Sequence, residues 1–87
     1  MNRKTVSIIM QTADRTRMAQ VTVPREMRAG DLIKTSTRRW ALAFGMNYQI
    51  ANISTGQLLL PDDTLSSDKV RDGDTLMLQP LATHGTA

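Results

Sequence analysis

Over Thr5–Gln11 the chain alternates, with Val6, Ile8 and Met10 on one side and Thr5, Ser7 and Ile9 on the other. A period of two with β-branched residues predicts a half-buried β-strand. The polar stretch Thr12–Thr16, with Ala13-Asp14-Arg15 at its centre, reads as a turn, because Asp tolerates turn dihedrals and bonds its own backbone. Alternation resumes over Arg17–Val23, with Ala19, Val21 and Val23 on one face. The two runs predict a hairpin, and Pro24 closes it because proline has no N–H to donate to a ladder.

The period then changes. From Ala29 to Phe44 the residues Leu32, Ile33, Thr37, Trp40, Ala41 and Phe44 recur at spacings of three and four, which predicts one amphipathic helix. Lys34, Arg38 and Arg39 fall off this stripe, and Asp31 sits where the helix dipole favours an anion. Gly45 is the expected left-handed exit residue. The start is weak: neither Arg28 nor Ala29 is a preferred cap, and Gly30 loosens the first turn. Packing of the stripe must therefore hold this helix, with Trp40 expected in the core.

The second half returns to short alternating runs broken by turn residues. Tyr48–Ile53 alternates, Ser54-Thr55-Gly56 turns, and the apolar run Gln57–Leu60 stops at Pro61-Asp62-Asp63. Thr64–Val70 reads as a single helical turn or loop with Leu65 and Val70 pointing inward. After the tight turn Arg71-Asp72-Gly73-Asp74, Thr75–Gln79 is a last strand with Leu76 and Leu78 inward. The order β-β-α-β-β-turn-β excludes a doubly wound sheet. It predicts an α+β arrangement in which one helix lies across a mixed sheet. Residues 1–80 form the expected domain and 81–87 a polar, mobile tail.

At 87 residues there is room for one domain, and 40% hydrophobic with 22% charged residues is a globular balance. Zero Cys excludes disulfides and thiolate chemistry. The apolar runs are too short to cross a bilayer or to form a signal-peptide core, so a cytoplasmic protein is expected, as a monomer. Net charge is +3 but unevenly spread: residues 1–44 carry nine Lys/Arg against three Asp/Glu, and residues 45–87 two against five. Such a dipolar surface can orient a charged protein partner, or be a solvated face without a role.

The segments Ile53-Ser54-Thr55-Gly56-Gln57-Leu58-Leu59, Asp62-Asp63-Thr64-Leu65 and Val70-Arg71-Asp72-Gly73-Asp74-Thr75-Leu76 carry a family pattern. A turn Gly, a Leu, a Thr-Leu pair and an Asp-Gly-Asp turn precede a final strand. With the Val23-Pro24 step and the Leu32-Ile33 pair, the chain resembles the ubiquitin-like β-grasp across Val6–Gln79, most closely the small bacterial YukD/EsaB type. The resemblance implies a non-enzymatic bacterial interaction module, for example an accessory of a type VII-like secretion machinery. It also implies a partner-binding surface: the patch isoleucine falls on Ile53, and its neighbours on the last strand fall on Met77 and Gln79. Gln79 departs from the apolar type, and Gln57 stands where ubiquitin carries its best-known linkage lysine.

Conjugated members end in diglycine. Here Gly85 occupies the terminal-Gly position, His84 stands in place of the other Gly, and Thr86-Ala87 follow. The second reading is a protein modifier conjugated through Gly85 after a peptidase removes Thr86-Ala87, with activating and conjugating enzymes as partners. The plain alternative is a frayed end.

No catalytic constellation emerges. His84 is the sole histidine and lies in the tail, Ser66 and Ser67 have no paired base, and the five glycines stand singly. Asp72-Gly73-Asp74 lacks the further oxygen ligands and closing Glu of a calcium loop. No metal or cofactor is expected. Arg15, Arg17, Arg38 and Arg39 offer a basic surface and a third reading, nucleic-acid binding, but one Trp, one Tyr and one Phe make no stacking platform. Of the six Met residues, Met77 is the one expected to face outward.

Overall fold

The computed structural model describes residues 4–42, 47–66 and 68–80. Its elements are β1 (Thr5–Thr12), β2 (Met18–Pro24), α1 (Ala29–Arg39), β3 (Tyr48–Asn52), β4 (Gln57–Leu59) and β5 (Thr75–Pro80). They form one five-stranded sheet in the order β2-β1-β5-β3-β4. β1 pairs antiparallel with β2 and parallel with β5, so the last strand lies at the centre of the sheet. β3 pairs antiparallel with both β5 and β4. With α1 packed across one face, this is an α+β β-grasp.

Period-two alternation decides which side of the sheet is dry. Val6, Ile8 and Met10 of β1, Ile50 of β3, Leu59 of β4, and Leu76 and Leu78 of β5 are buried under Ala29 and Leu32 of α1. Leu65 and Val70, from the loop between β4 and β5, close the core as expected. Half-buried Val21, Val23, Ile33 and Trp40 pack against its margin.

The helix ends earlier than its apolar spacing predicts. It stops at Arg39 with Trp40 as C-cap, short of Phe44, and the left-handed residue at this exit is Ala41, at φ 50°. Phe44 and Gly45 lie outside the described residues. The Ala41 amide donates to the Arg38 carbonyl at 3.3 Å and the Leu42 amide to the Thr37 carbonyl at 2.9 Å. These two bonds are a Schellman motif, which satisfies the last carbonyls and turns the chain back. The turn tucks Leu42 against the core and leaves Ala41 exposed, off the stripe. Trp40, expected in the core, is only half-buried for the same reason: it sits at the cap, over the margin. Ser36 takes a buried position on the stripe instead.

The weak helix start is resolved from a distance. Arg28 makes no side-chain cap, but the Ala29 amide donates to the Asp63 carbonyl at 2.8 Å and the Gly30 amide to the Pro61 carbonyl at 2.9 Å. Backbone carbonyls of the loop after β4 thus satisfy donors that the first turn leaves open. Gly30 permits this approach, since a Cβ there would meet the Pro61 carbonyl oxygen at 3.2 Å. The same loop is held from below by Arg25, whose guanidinium donates to the carbonyls of Val70 at 3.1 Å and Leu65 at 3.3 Å.

Candidate interaction surface

Alternation that buries one face of a sheet exposes the other, and the composition of that outer face is distinctive. No strand residue is charged: TVSIIMQT, MAQVTVP, YQIAN, QLL and TLMLQP contain neither acid nor base. Every charged side chain among the described residues lies on the helix or in the segments between elements.

The registers align the outer face in rows. One row crosses all five strands: Met18 pairs with Gln11, Gln11 with Met77, Met77 with Ala51, and Ala51 with Leu58. Beside it, Ile9 lies between Gln20 and Thr75, and the Ile53 amide donates to the Thr75 carbonyl at 3.0 Å just past the end of β3. On the other flank Gln49 pairs with Gln79. Among the described residues, the large apolar side chains most open to solvent are Met18 at 62%, Ile53 at 47%, Leu58 at 55% and Leu60 at 65%. The centre of the long row is low: Met77 and Ala51 are half-buried, and Gln11 is only 6% exposed.

Ile53, Met77 and Gln79 thus share this face but stand in three separate rows, with Ala51, not Ile53, directly opposite Met77. Met18, Gln11, Leu58 and Leu60 were not singled out by sequence reasoning. A signal for two of them existed: of three consecutive leucines in a strand run, alternation sends the middle one to one face and its two neighbours to the other, and it is Leu59 that points inward.

Arg15, Arg17, Arg38 and Arg39 are all exposed. Arg39 lines a groove of about 130 Å³ between β2 and α1, together with Met10, Ala19, Val21, Leu32 and Trp40. Since Met10 and Ala19 flank the β1–β2 turn, the basic end of α1 and the turn bearing Arg15 and Arg17 lie at the same end of the molecule. Asp14 sits in that turn. Its Oδ1 accepts from Thr12 Oγ1 at 2.7 Å, Thr16 Oγ1 at 2.7 Å and the Thr16 amide at 3.0 Å. The Thr12 hydroxyl, then the Thr16 amide and hydroxyl, hold the Asp14 carboxyl well below the usual carboxylate range, at about 2.

Three further acids of the turns, Asp63, Asp72 and Asp74, are engaged structurally. Asp72 Oδ1 accepts from the Ser7 amide, and Asp74 Oδ2 accepts from the Arg71 amide and Asn52 Nδ2, each at 2.9 Å. Asp63 Oδ2 accepts from the Leu60 amide at 2.9 Å and faces Lys69 Nζ at 3.7 Å. Among the described residues, no group of three or more His, Asp or Glu side chains could hold a metal ion. No helix of the described residues is long and apolar enough to cross a membrane. Gly85 and the tail lie outside the described residues.

The fold is that of ubiquitin-like proteins. A de novo design based on ubiquitin superimposes with a TM-score of 0.73 at 21% identity, covering 98% of this chain and 100% of the design. The ubiquitin of Caldiarchaeum subterraneum gives 0.72 at 20% identity, with 93% and 99% covered. The UBL domain of Plasmodium falciparum Dsk2 gives 0.70 at 17% identity, with 88% and 99% covered. No protein-family profile matches the sequence, and no curated protein matches it.

Proposed function

We propose that this chain is a non-enzymatic, ubiquitin-like interaction module that docks a protein partner on the outer face of its sheet. One observation carries the reading: a face assembled from five uncharged strands leaves Met18, Ile53, Leu58 and Leu60 open to water. Scattered exposed leucines are ordinary, but several on one uncharged face mark an interaction site. The carboxylates of Asp14, Asp63, Asp72 and Asp74 serve as acceptors for backbone amides, which supports a structural role for them.

The resemblance to the YukD/EsaB type favours a cytoplasmic bacterial accessory of a secretion machinery, acting without conjugation. The modifier reading rests on Gly85 and is decided by intact mass: incubation with a cognate activating enzyme and peptidase yields loss of Thr86-Ala87 and a thioester if it holds. A nucleic-acid role draws on the four exposed arginines, while Trp40 and Tyr48 are committed to the core margin.

The test of the docking face uses crosslinked complexes of the full chain. Leu58→Asp and Met77→Asp should reduce partner recovery at least tenfold, whereas the pair Arg38→Ala and Arg39→Ala should not. The reverse pattern would move the site to the basic end of α1.

A further inference from the structure

The two edges of the sheet are unequal. β4 offers only Gln57–Leu59, and so short an edge strand discourages further pairing. β2 offers Met18–Pro24, paired with β1 in an unbroken register from Thr5↔Pro24 to Gln11↔Met18. Charges, prolines or bulges ordinarily guard an edge of that length, and β2 carries only Pro24, at its far end.

The ladder fixes which backbone groups of β2 remain open. The Thr12 amide donates to the Arg17 carbonyl at 3.0 Å and the Arg25 amide to the Lys4 carbonyl at 2.9 Å, at the two ends of the β1–β2 pairing. Hydrogen-bonded pairs recur at every second residue of an antiparallel ladder, so Ala19, Val21 and Val23 turn their N–H and C=O groups toward β1. Met18, Gln20 and Thr22 turn theirs outward, and among the described residues no backbone group receives them. The side chains of all three are exposed. Beyond water, the partner that matches a row of alternating donors and acceptors is another extended backbone.

We infer that this edge pairs with the β2 edge of a second copy of the chain, antiparallel about a two-fold axis at Gln20, joining two five-stranded sheets into one. An axis normal to the sheet keeps both helices on one side and requires a residue that faces its own image. With Gln20 on the axis, Met18 opposes Thr22 of the second copy, and every outward N–H and C=O of Met18, Gln20 and Thr22 is paired. Val21 on the axis would instead set Met18 against Pro24, which has no N–H to give, and Arg17 against Arg25 of the second copy. The Gln20 register brings Arg17 beside Val23, while Arg25 is already drawn toward the Leu65 and Val70 carbonyls. The Gln20 side chain is both donor and acceptor, so it bonds its own image where a charge would be repelled. On the helix side, half-buried Ala19 and Val21 of one copy meet Val21 and Ala19 of the other. So narrow an interface makes a weak dimer, populated at high protein concentration in place of the monomer expected from the sequence.

The chain has no cysteine, so a single introduced one reads the register. Opposed residues of a hydrogen-bonded pair lie about 5.5 Å apart at Cα, within disulfide reach. Gln20→Cys in the full chain should form a covalent dimer under mild oxidation. Met18→Cys and Thr22→Cys, each displaced about 14 Å along the strand from its own image, should form at least tenfold less when alone. Mixed together, those two variants should cross-link to each other. Sedimentation of the unmodified chain into the millimolar range should show a monomer–dimer equilibrium, weakened at least tenfold by Gln20→Lys, which sets two like charges face to face. Gln20 is exposed, so this substitution should leave the melting of the dilute chain unchanged. The amides of Met18, Gln20 and Thr22 should gain protection from hydrogen exchange as concentration rises, whereas those of Ala19 and Val21 are protected throughout.

A chain that stays monomeric over that range would overturn the inference and leave the docking face untouched. So would cross-linking of Met18→Cys or Thr22→Cys alone as readily as Gln20→Cys. A dimer indifferent to Gln20→Lys but abolished by Leu58→Asp would overturn it too, by placing the second copy on the outer face.

Discussion

The side-chain amide of Asn52 donates to Asp74 Oδ2 and to the Lys69 carbonyl, each at 2.9 Å, from a position with no solvent exposure. Its own Oδ1 accepts from the Ser54 amide at 3.0 Å. One buried side chain thereby ties the end of β3 to the loop that leads into β5. The bonds explain why a polar residue occupies an inward position of β3.

Asn52→Ala should accordingly lower stability by about 3 kcal/mol, because it leaves the Lys69 carbonyl and the Ser54 amide without their partner, takes one of two donors from Asp74 Oδ2 and opens a buried cavity. Urea unfolding with an unchanged m-value would register it. A loss below about 1 kcal/mol would mean that water replaces the network.

Ala41 holds φ 50° without the freedom of glycine. Ala41→Gly should stabilise the chain by about 1 kcal/mol, since the left-handed conformation costs an L-residue roughly that amount. Thermal melting would show it as a rise of several degrees at this length.

Asp14 contributes through its ionised form. Its folded pKa of about 2 lies below the ordinary 3.8, so the contribution is complete above the ordinary value and is lost as pH falls through 2. The melting temperatures of wild type and Asp14→Ala should differ most above pH 5 and converge by about pH 2. A gap that persists at pH 2 would assign the turn's stability to something other than this carboxylate.

Trp40 caps the core margin, whereas Leu76 is fully buried. Trp40→Ala should cost about 2 kcal/mol and Leu76→Ala about 3–4, despite the larger side chain removed from position 40. Chemical denaturation of the two variants would order them.

The strands and their inward residues were legible because a one-sided sheet imposes a strict period of two: Val6, Ile8, Met10, Leu76 and Leu78 all follow it. The helix end was not, because the apolar spacing runs on through Ala41 and Phe44 while the stop is made by backbone geometry at Ala41. The loop that caps Ala29 and Gly30 comes from more than thirty residues away, beyond any local signal. The same holds for the outer face. Ile53, Met77 and Gln79 could be named from resemblance, but which residues stand beside them depends on cross-strand registers. Gln11 looked like the polar end of a strand, and only the placement of β5 and β2 on either side of it encloses its side chain.

The central position of β5, parallel to β1, also has a mechanical meaning. A pull that draws the start of β1 and the end of β5 apart would slide two neighbouring strands along each other, loading the bonds from Ile9 to Thr12 together instead of unzipping them singly. Tethered at both extremities, this domain would resist tension along the one direction in which its chain is most readily grasped.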